Sequence, residues 1–519
     1  MSWFGSLRNI ARLIRVGAIL ARYDALFLFE GVGGAGPLLR VVRIVRRRSM
    51  AALRPGERLA EAFGRIGPSF IKLGQILATR ADLLGDDVTA DLARLQDRLP
   101  PFPGDEARLR IEAEFGQKLD ALFAAFDPVP VAAASIAQVH FARTVEGNEV
   151  AVKVLRPGVA RGFARDLDLL RWLAQLIERT HPELRRLKPV EIVRTLARTT
   201  QLEMDLRYEA AAACELAENF AGDSSFRVPR VDWLRTGRTV LTTERVGGIR
   251  IDDRAALIAA GFELDDVLKK GADAFFNQVF RDGFFHADQH PGNLFIDAGG
   301  AIAAVDFGIM GRLDRDTRYY LADMLLGFLS GDYRRVAEVH LEAGYIPRDS
   351  SLGDFTQACR SIGEPILGRP LHEISLARLL AQLFRVTEQF QMETQPQLLL
   401  LQKTMVQVEG LGRRLDPSVN IWELARPLVE AWMRDNRGPA AQLRQRIAGI
   451  AETLDELPRL LHTLSKLVGD WSGTGLMLHA ETLAAQAAHR SRQLPLIVVP
   501  LWIAAVALVA MAVGVWIGR

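Results

Sequence analysis

The stretch "FFHADQHPGNLFI", residues 284–296, sets Asp288 five residues ahead of Asn293, with Pro291 and Gly292 forcing a turn between them. A phosphoryl-transfer site needs that chemistry: one carboxylate near the acceptor oxygen and one amide oxygen on a metal ion. "IAAVDFGIM" (302–310) follows, an apolar strand pattern ending in Asp306-Phe307-Gly308. A carboxylate at a strand end can chelate a magnesium ion that bridges nucleotide phosphates, and Asn293 offers a second hard oxygen. Upstream, "EVAVKVL" (149–155) places Lys153 among valines, where burial is costly unless the amine reaches water or an anion. The kinase signature uses such a strand lysine to hold α- and β-phosphates. Taken singly, Asp306 is a strand-end cap, Asn293 a turn residue and Asp288 an exposed loop charge. Taken in this order and spacing, they specify an ATP site with Mg2+, with ADP as the alternative nucleotide.

The elements that must position these residues follow from pattern changes. Gly33, Gly34, Gly36 and Pro37 interrupt the N-terminal helices and "LRPGE" (53–57) restarts them. Residues 58–99 read as helical, and "PPFPGDE" (100–106) breaks the chain before another helix. From 129 to 155 short alternating stretches predict strands, with "EGNE" (146–149) as a hairpin turn. Helical patterning returns over about 160–220, residues 227–246 predict two short strands, and beyond Asp252 the chain is helical apart from strand, loop and strand around 284–310. A small sheet with a long helix followed by a larger helical lobe is an α+β arrangement, and a nucleotide sits well between two such lobes.

Bulk properties exclude other classes. The 519 residues, 49% hydrophobic and 24% charged, make a globular chain rather than a disordered one, and a formal net charge of +3 gives no argument for nucleic acid. Only Cys214 and Cys359 are present, so there is no disulfide framework and a reducing compartment is expected.

Further motifs carry a resemblance. "IKLGQILATRADLL" (71–84) gives a KxGQ element through Lys72 and Gln75, "AAASIAQVH" (132–140) an alanine-rich loop, and "LEMDLRYEAAA" (202–212) an ExD element through Glu203 and Asp205. With "FFHADQHPGN" and "DFG" they make the chain resemble, from about residue 55 to the end, the UbiB family of atypical protein-kinase-like proteins required for ubiquinone biosynthesis. The resemblance implies a protein-kinase-like two-lobe fold, with a small β-sheet N-lobe, a helical C-lobe, a helical N-terminal extension and a C-terminal transmembrane helix. It implies Asp288, Lys153 and Glu209 as catalytic, with Glu209 the helix glutamate that pairs with Lys153. It gives Asn293 and Asp306 to the metal, and Lys72, Gln75, Glu203 and Asp205 to regulation, Lys72 pairing with Glu203 or Asp205. It assigns the nucleotide to Val131, Ala132, Ala133, Ala134, Ser135, Ile136, Ala137, Gln138 and Val139, together with Lys153, Glu244 and Val246. Alanine here replaces the glycines whose positive φ lets a backbone close on phosphate, so the nucleotide is held differently than in a protein kinase.

The expected divisions are basic amphipathic helices over 1–54, the KxGQ extension over 55–127, N-lobe over 128–246, C-lobe over 247–425, C-terminal helices over 426–493 and a membrane span over 494–517. That span carries no charge and is long enough for a hydrocarbon core of about 30 Å. Arg490 and Arg492 precede it, which places the body at the cytoplasmic face of a bacterial inner membrane; a single span and a re-entrant hairpin both stay open. Residues 1–54 carry ten arginines against Asp24 and Glu30, and read equally as a helix on anionic lipid or one packed on the body. The implied partners are membrane lipid and either ubiquinone-pathway enzymes or a polyprenyl quinone precursor, with a homodimer through the N-terminal helices left open. The function expected is an ATP- and Mg-dependent kinase or ATPase supporting ubiquinone biosynthesis. The alternative is a nucleotide-binding scaffold or lipid-extracting chaperone without protein kinase activity. A small-molecule kinase shares the His-x-Asp-x4-Asn spacing but gives no reason for Lys72 and Gln75.

Overall fold

Gly67 and Pro68 cut the helical stretch expected over 58–99. Gly67 adopts φ 132°, open to glycine and strained for other residues, and Pro68 starts a new helix at its first position. The computed structural model describes residues 3–29, 50, 52–78, 84–92, 100–180, 189–365, 386, 389–390, 392, 395–417 and 421–437. The chain divides into two compact units, Met1–Asp435 and Asn436–Arg519, and the described residues fall almost entirely in the first.

In chain order the extension comprises α1 (Trp3–Arg22), α2 (Pro55–Ile66), α3 (Pro68–Leu77), α4 (Asp86–Leu92) and α5 (Gly104–Phe115). Val16 of α1 is buried with Leu59 and Phe63 of α2, Phe70 of α3 and Leu92 of α4, so α1 packs on the body, one of its two expected placements. The sheet strands are β1 (Phe123–Phe126), β2 (Ala132–Ala133), β3 (Ala137–Thr144) and β4 (Glu149–Leu155), followed by α6 (Val159–Thr180), α7 (Pro189–Glu203) and α8 (Leu206–Asn219), then β5 (Phe226–Arg227) and β6 (Val240–Glu244). The antiparallel order is β1-β3-β4-β6 with β2 paired to β3. The β3–β4 turn falls at the expected "EGNE", with Gly147 at φ 94°.

Period two gives this sheet two faces. Val150, Val152 and Val154 pack on Ala107 and Ile111 of α5. Ala137, Leu155 and Leu241 pack on Phe163 of α6 and on Leu206 and Ala210 of α8. Lys153 alternates onto the second face, toward α8.

The second lobe contains β7 (Ile249–Arg250), α9 (Leu264–Phe276), β8 (Phe284–His286), β9 (Leu294–Ile296), β10 (Ile302–Ala304) and β11 (Met310–Arg312), then α10 (Arg315–Ser330), α11 (Tyr333–Glu342), α12 (Leu352–Gly363), α13 (Pro396–Leu415) and α14 (Ile421–Arg437). Its sheets are β5-β10-β9-β7 and the pair β8–β11. The two strands expected over 227–246 therefore part company. β6 completes the first sheet, whereas β5 pairs in parallel with β10 and belongs to the second lobe. Leu411 and Leu415 of α13 enter the core with Leu294 and Ile302, and Leu401 and Val408 enter the core with Phe276 and Phe285. Among the described residues no helix is long and apolar enough to cross a membrane, and 494–517 lies outside them.

Candidate functional site

Lys153 Nζ donates to both carboxylate oxygens of Glu209, at 2.7 and 2.9 Å, and to Asp306 Oδ1 at 2.9 Å. β4 supplies the lysine, the first turn of α8 the glutamate, and the segment after β10 the aspartate, so 153 residues of chain close on one ammonium group. The burial that would discharge Lys153 is outweighed by Asp306 and Glu209, and its proton is held more tightly than usual. Burial and the charge of Asp306 push Glu209 up to about 7 against the pull of Lys153. For Asp306 desolvation opposes ionisation, but Lys153, helped by His286 and Lys72, prevails and holds it at about 2. Asp306 adopts φ 64°, a left-handed conformation that aspartate tolerates better than most residues and that turns its carboxylate off the strand line.

Asp288 follows β8. His286 fixes it from behind: the ring Nδ1 accepts the Asp288 N–H at 3.1 Å, and Nε2–H donates to Val305 O at 3.2 Å. Burial keeps His286 neutral, which that pairing requires. Asn293, in the turn Pro291–Asn293, donates Nδ2 to Asp288 O at 3.1 Å. That leaves Oδ1 as the amide atom not used by this hydrogen bond. An exposed Asp306 carboxylate and one amide oxygen are hard donors that suit magnesium. Among the described residues no cluster of three His, Cys, Asp or Glu ligands forms, so such an ion depends on phosphate oxygens for the rest of its shell.

The alanine-rich segment is a strand and turn rather than a helix start. Ala132 and Ala133 pair with Val139 and Gln138, and Ala134 N–H donates to Ala137 O at 2.8 Å. Val139 lies opposite Lys153 in the ladder, on the same face. Gln138 does not share that face: its buried amide donates to Phe102 O, accepts from Phe102 N–H and meets His140, leaving only its backbone toward the Lys153 side. Ser135 is wholly buried within the turn. Glu244 closes β6 and pairs with Arg227 and Arg230, while Val246 lies in the connection from β6 to β7, between the two lobes' sheets.

Of the two acids open to Lys72, the structure selects Glu203, at 3.2 Å. Asp205 instead caps α8 and binds Arg207 at 2.6 Å. Gln75 lies three residues beyond Lys72 on α3 and is half-buried.

The sequence reading missed four residues. Arg156, directly after β4, donates Nε and Nη2 to Ala134 O at 3.1 and 3.0 Å and Nη2 to Pro100 O at 2.8 Å. His286 stands in the quoted motif without an assigned role. Lys403 Nζ and Gln407 Nε2 on α13 each donate to Asp288 Oδ1 at 3.0 Å. The signal for this pair was available: a lysine and a glutamine four apart in the apolar run "LLLLQKTMVQVEG".

A five-stranded lobe, a strand lysine clasped by a helix glutamate, and a helical lobe bearing Asp288, Asn293 and Asp306 define a protein-kinase-like fold and site. Comparison narrows the class. Residues 94–340 match the model of the ABC1 atypical kinase-like domain and residues 359–420 that of the UbiB helical domain. The chain is 43% identical over 476 residues to the "Probable protein kinase UbiB" of Xanthomonas campestris pv. campestris, covering 89% of this chain and 86% of that protein. It is 45% identical over 417 residues to the protein of that name in Marinobacter nauticus, covering 79% and 76%. The chain belongs to the UbiB family. A solved structure, titled the complex structure of Rv3197-erythromycin from Mycobacterium tuberculosis, is similar over 68% of this chain and 90% of that one, with a TM-score of 0.50 and 25% identity.

Proposed function

We propose that this UbiB-family chain is an ATP- and Mg2+-dependent phosphotransferase or ATPase that works at the cytoplasmic face of a bacterial inner membrane and supports ubiquinone biosynthesis. The observation that carries the reading is the single ammonium group of Lys153 held between Glu209 and Asp306. An ammonium group held between two acids is a preorganised cation, placed to donate to a phosphate oxygen that takes the position of Asp306 Oδ1. Magnesium, when bound by Asn293 and Asp306, supplies charge neutralisation across the phosphates. Asp288 orients the acceptor hydroxyl and takes its proton. The turn 134–137, tethered by Arg156, lies on the ladder next to Lys153 and covers the nucleotide. Membrane attachment rests on the apolar segment 494–517 and on the basic residues of 1–54.

Lys72 supports a second reading, a nucleotide-dependent scaffold or lipid-extracting chaperone. This lysine is buried against Glu203 and adds to the positive field at Asp306, so the extension lies close to where a protein acceptor would dock.

Phosphate release and nucleotide binding by the purified full-length chain, with and without lipid vesicles, decide between them. Phosphate release lost in Asp288→Asn supports the enzyme. Nucleotide binding with no release under any condition supports the scaffold. In Asp306→Asn, magnesium-dependent nucleotide binding is lost, and its retention sinks the metal assignment.

A further inference from the structure

Asp288 is held from beyond the segment, 94–340, that matches the kinase-like domain. Lys403 and Gln407 are one turn apart on α13, inside the segment matching the UbiB helical domain, and both donate to the same oxygen, Oδ1. That helix is not free to drift, because Leu401, Val408, Leu411 and Leu415 anchor it in two cores on either side of the catalytic loop. Among the described residues, Asp288 Oδ2 meets only the Asn293 amide, at a marginal 3.5 Å. Gln407 Oε1 is buried with no hydrogen-bond donor among the described residues, and an O–H or N–H of an entering acceptor would satisfy it. Lys403 itself is 41% exposed, and an ion pair that open stabilises a fold very little, so stability gives a weak account of it. Phosphoryl transfer gives a better one. The carboxylate that takes the acceptor's proton has to be held in one orientation toward the hydroxyl, and two donors on Oδ1 do that.

We propose that Lys403 and Gln407 are positioning residues by which the helical domain completes the active site. They hold Asp288 Oδ1 and turn Oδ2 toward a hydroxyl acceptor (water or an alcohol). In the step they serve, the hydroxyl oxygen forms the new bond to phosphorus. The bond from phosphorus to the bridging β-phosphate oxygen breaks, its electron pair leaving on the diphosphate, and the hydroxyl proton passes to Oδ2. Gln407 Oε1 accepts a hydrogen bond from the entering acceptor. The groups facing Asp288 are Lys403 and Gln407 from α13, His286 from β8, Asn293 from its own loop, and Asp306 across the cleft.

The inference rests on the proposed function, and the test separates the two. Steady-state phosphate release and independently measured nucleotide affinity are compared for the full-length parent, Lys403→Met, Lys403→Arg, Gln407→Leu, Asp288→Asn and Lys403→Met/Asp288→Asn. Lys403→Met lowers kcat by about tenfold or more with nucleotide affinity nearly unchanged, as expected when the proton acceptor is no longer held in line with the hydroxyl. Lys403→Arg recovers part of that loss, and the double variant is no slower than Asp288→Asn alone. Parent-like kcat in Lys403→Met, or losses that multiply in the double variant, overturns the proposal. If the parent binds nucleotide but releases no phosphate, the enzymatic reading fails. Melting temperatures then still judge the contact: the shifts of Lys403→Met and Asp288→Asn fail to add if the residues are coupled, and additive shifts overturn it.

Discussion

Lys72 Nζ stands 3.2 Å from Glu203 Oε1, both side chains at least nine-tenths buried, so a lysine of the N-terminal extension is tied to the last residue of α7. Removing one member of a buried ion pair costs about 3–5 kcal/mol, whereas removing both together costs much less. Lys72→Met and Glu203→Gln each lower the melting temperature strongly, and the double variant recovers most of the loss. Additive melting shifts would show that the pair carries no coupling. Because Lys72 also helps keep Asp306 ionised, the variants shift magnesium-dependent nucleotide binding along with stability, which a remote structural pair would leave alone.

Glu209 clasps Lys153 with both oxygens, and α8 owes its placement on the sheet to that contact and to Leu206 and Ala210. Glu209→Gln keeps the shape and removes the charge. Nucleotide affinity falls by about tenfold or more, since Lys153 then swings toward Asp306, its remaining anion, and leaves the phosphate position. Unchanged affinity in a titration counts against the phosphate-holding role of Lys153.

The turn at Ala134 hangs from one guanidinium. Arg156 reaches Ala134 O with two N–H groups and Pro100 O with one, a planar fork that a lysine does not reproduce. Arg156→Lys and Arg156→Met both weaken nucleotide binding severalfold, Met more than Lys, consistent with about 1 kcal/mol for each lost hydrogen bond. Ala134→Gly acts in the same turn by another route. It makes positive φ accessible at a backbone cost of about 1 kcal/mol or less and alters nucleotide preference. Identical affinities in parent and variants would remove the turn from the nucleotide site.

How much of this was legible depended on range along the chain. The β3–β4 hairpin, Lys153 in an apolar strand and the Asp288–Asn293 spacing are local patterns, and each appears where its residues predict. The choice between Glu203 and Asp205 was not local. Arg207 two residues away and the helix cap draw Asp205 off, but only the packed position of α3 brings Lys72 to Glu203. Lys403 and Gln407 lie 115 and 119 residues from Asp288, and spacing alone does not say that α13 returns to the catalytic loop. Likewise β5 and β6 look alike in sequence but join different sheets, because strand partners are set by long-range pairing.

Three buried histidines give stability a pH dependence of definite sign. Burial pushes His140, His286 and His340 below the ordinary value of 6.5, and the Nδ1–H groups of His140 and His340 donate to Asp127 O and Val336 O, each at 2.8 Å. Above pH 6.5 the imidazoles are neutral in folded and unfolded chains alike, and they contribute nothing to the slope. Below it the unfolded chain takes up protons that the folded chain refuses, so stability falls with pH by up to about 1.4 kcal/mol per unit for each histidine. Glu209, pushed up to about 7, runs the other way between there and its ordinary value near 4.5, because the folded chain takes up its proton first, and it cancels one histidine; Glu409, raised by burial, opposes the remaining two in the same sense just above its ordinary value. Asp306, at about 2, stays ionised throughout this window. The net result is a melting temperature that drops between pH 7 and 5.5. His340 lies far from the lysine-centred site, its ring edge-on to Phe355 at 5.1 Å. His340→Gln therefore lowers the melting temperature at pH 7.5 but flattens its decline toward pH 5.5. A decline as steep in this variant as in the parent would mean that His340 already accepts a proton in the folded protein.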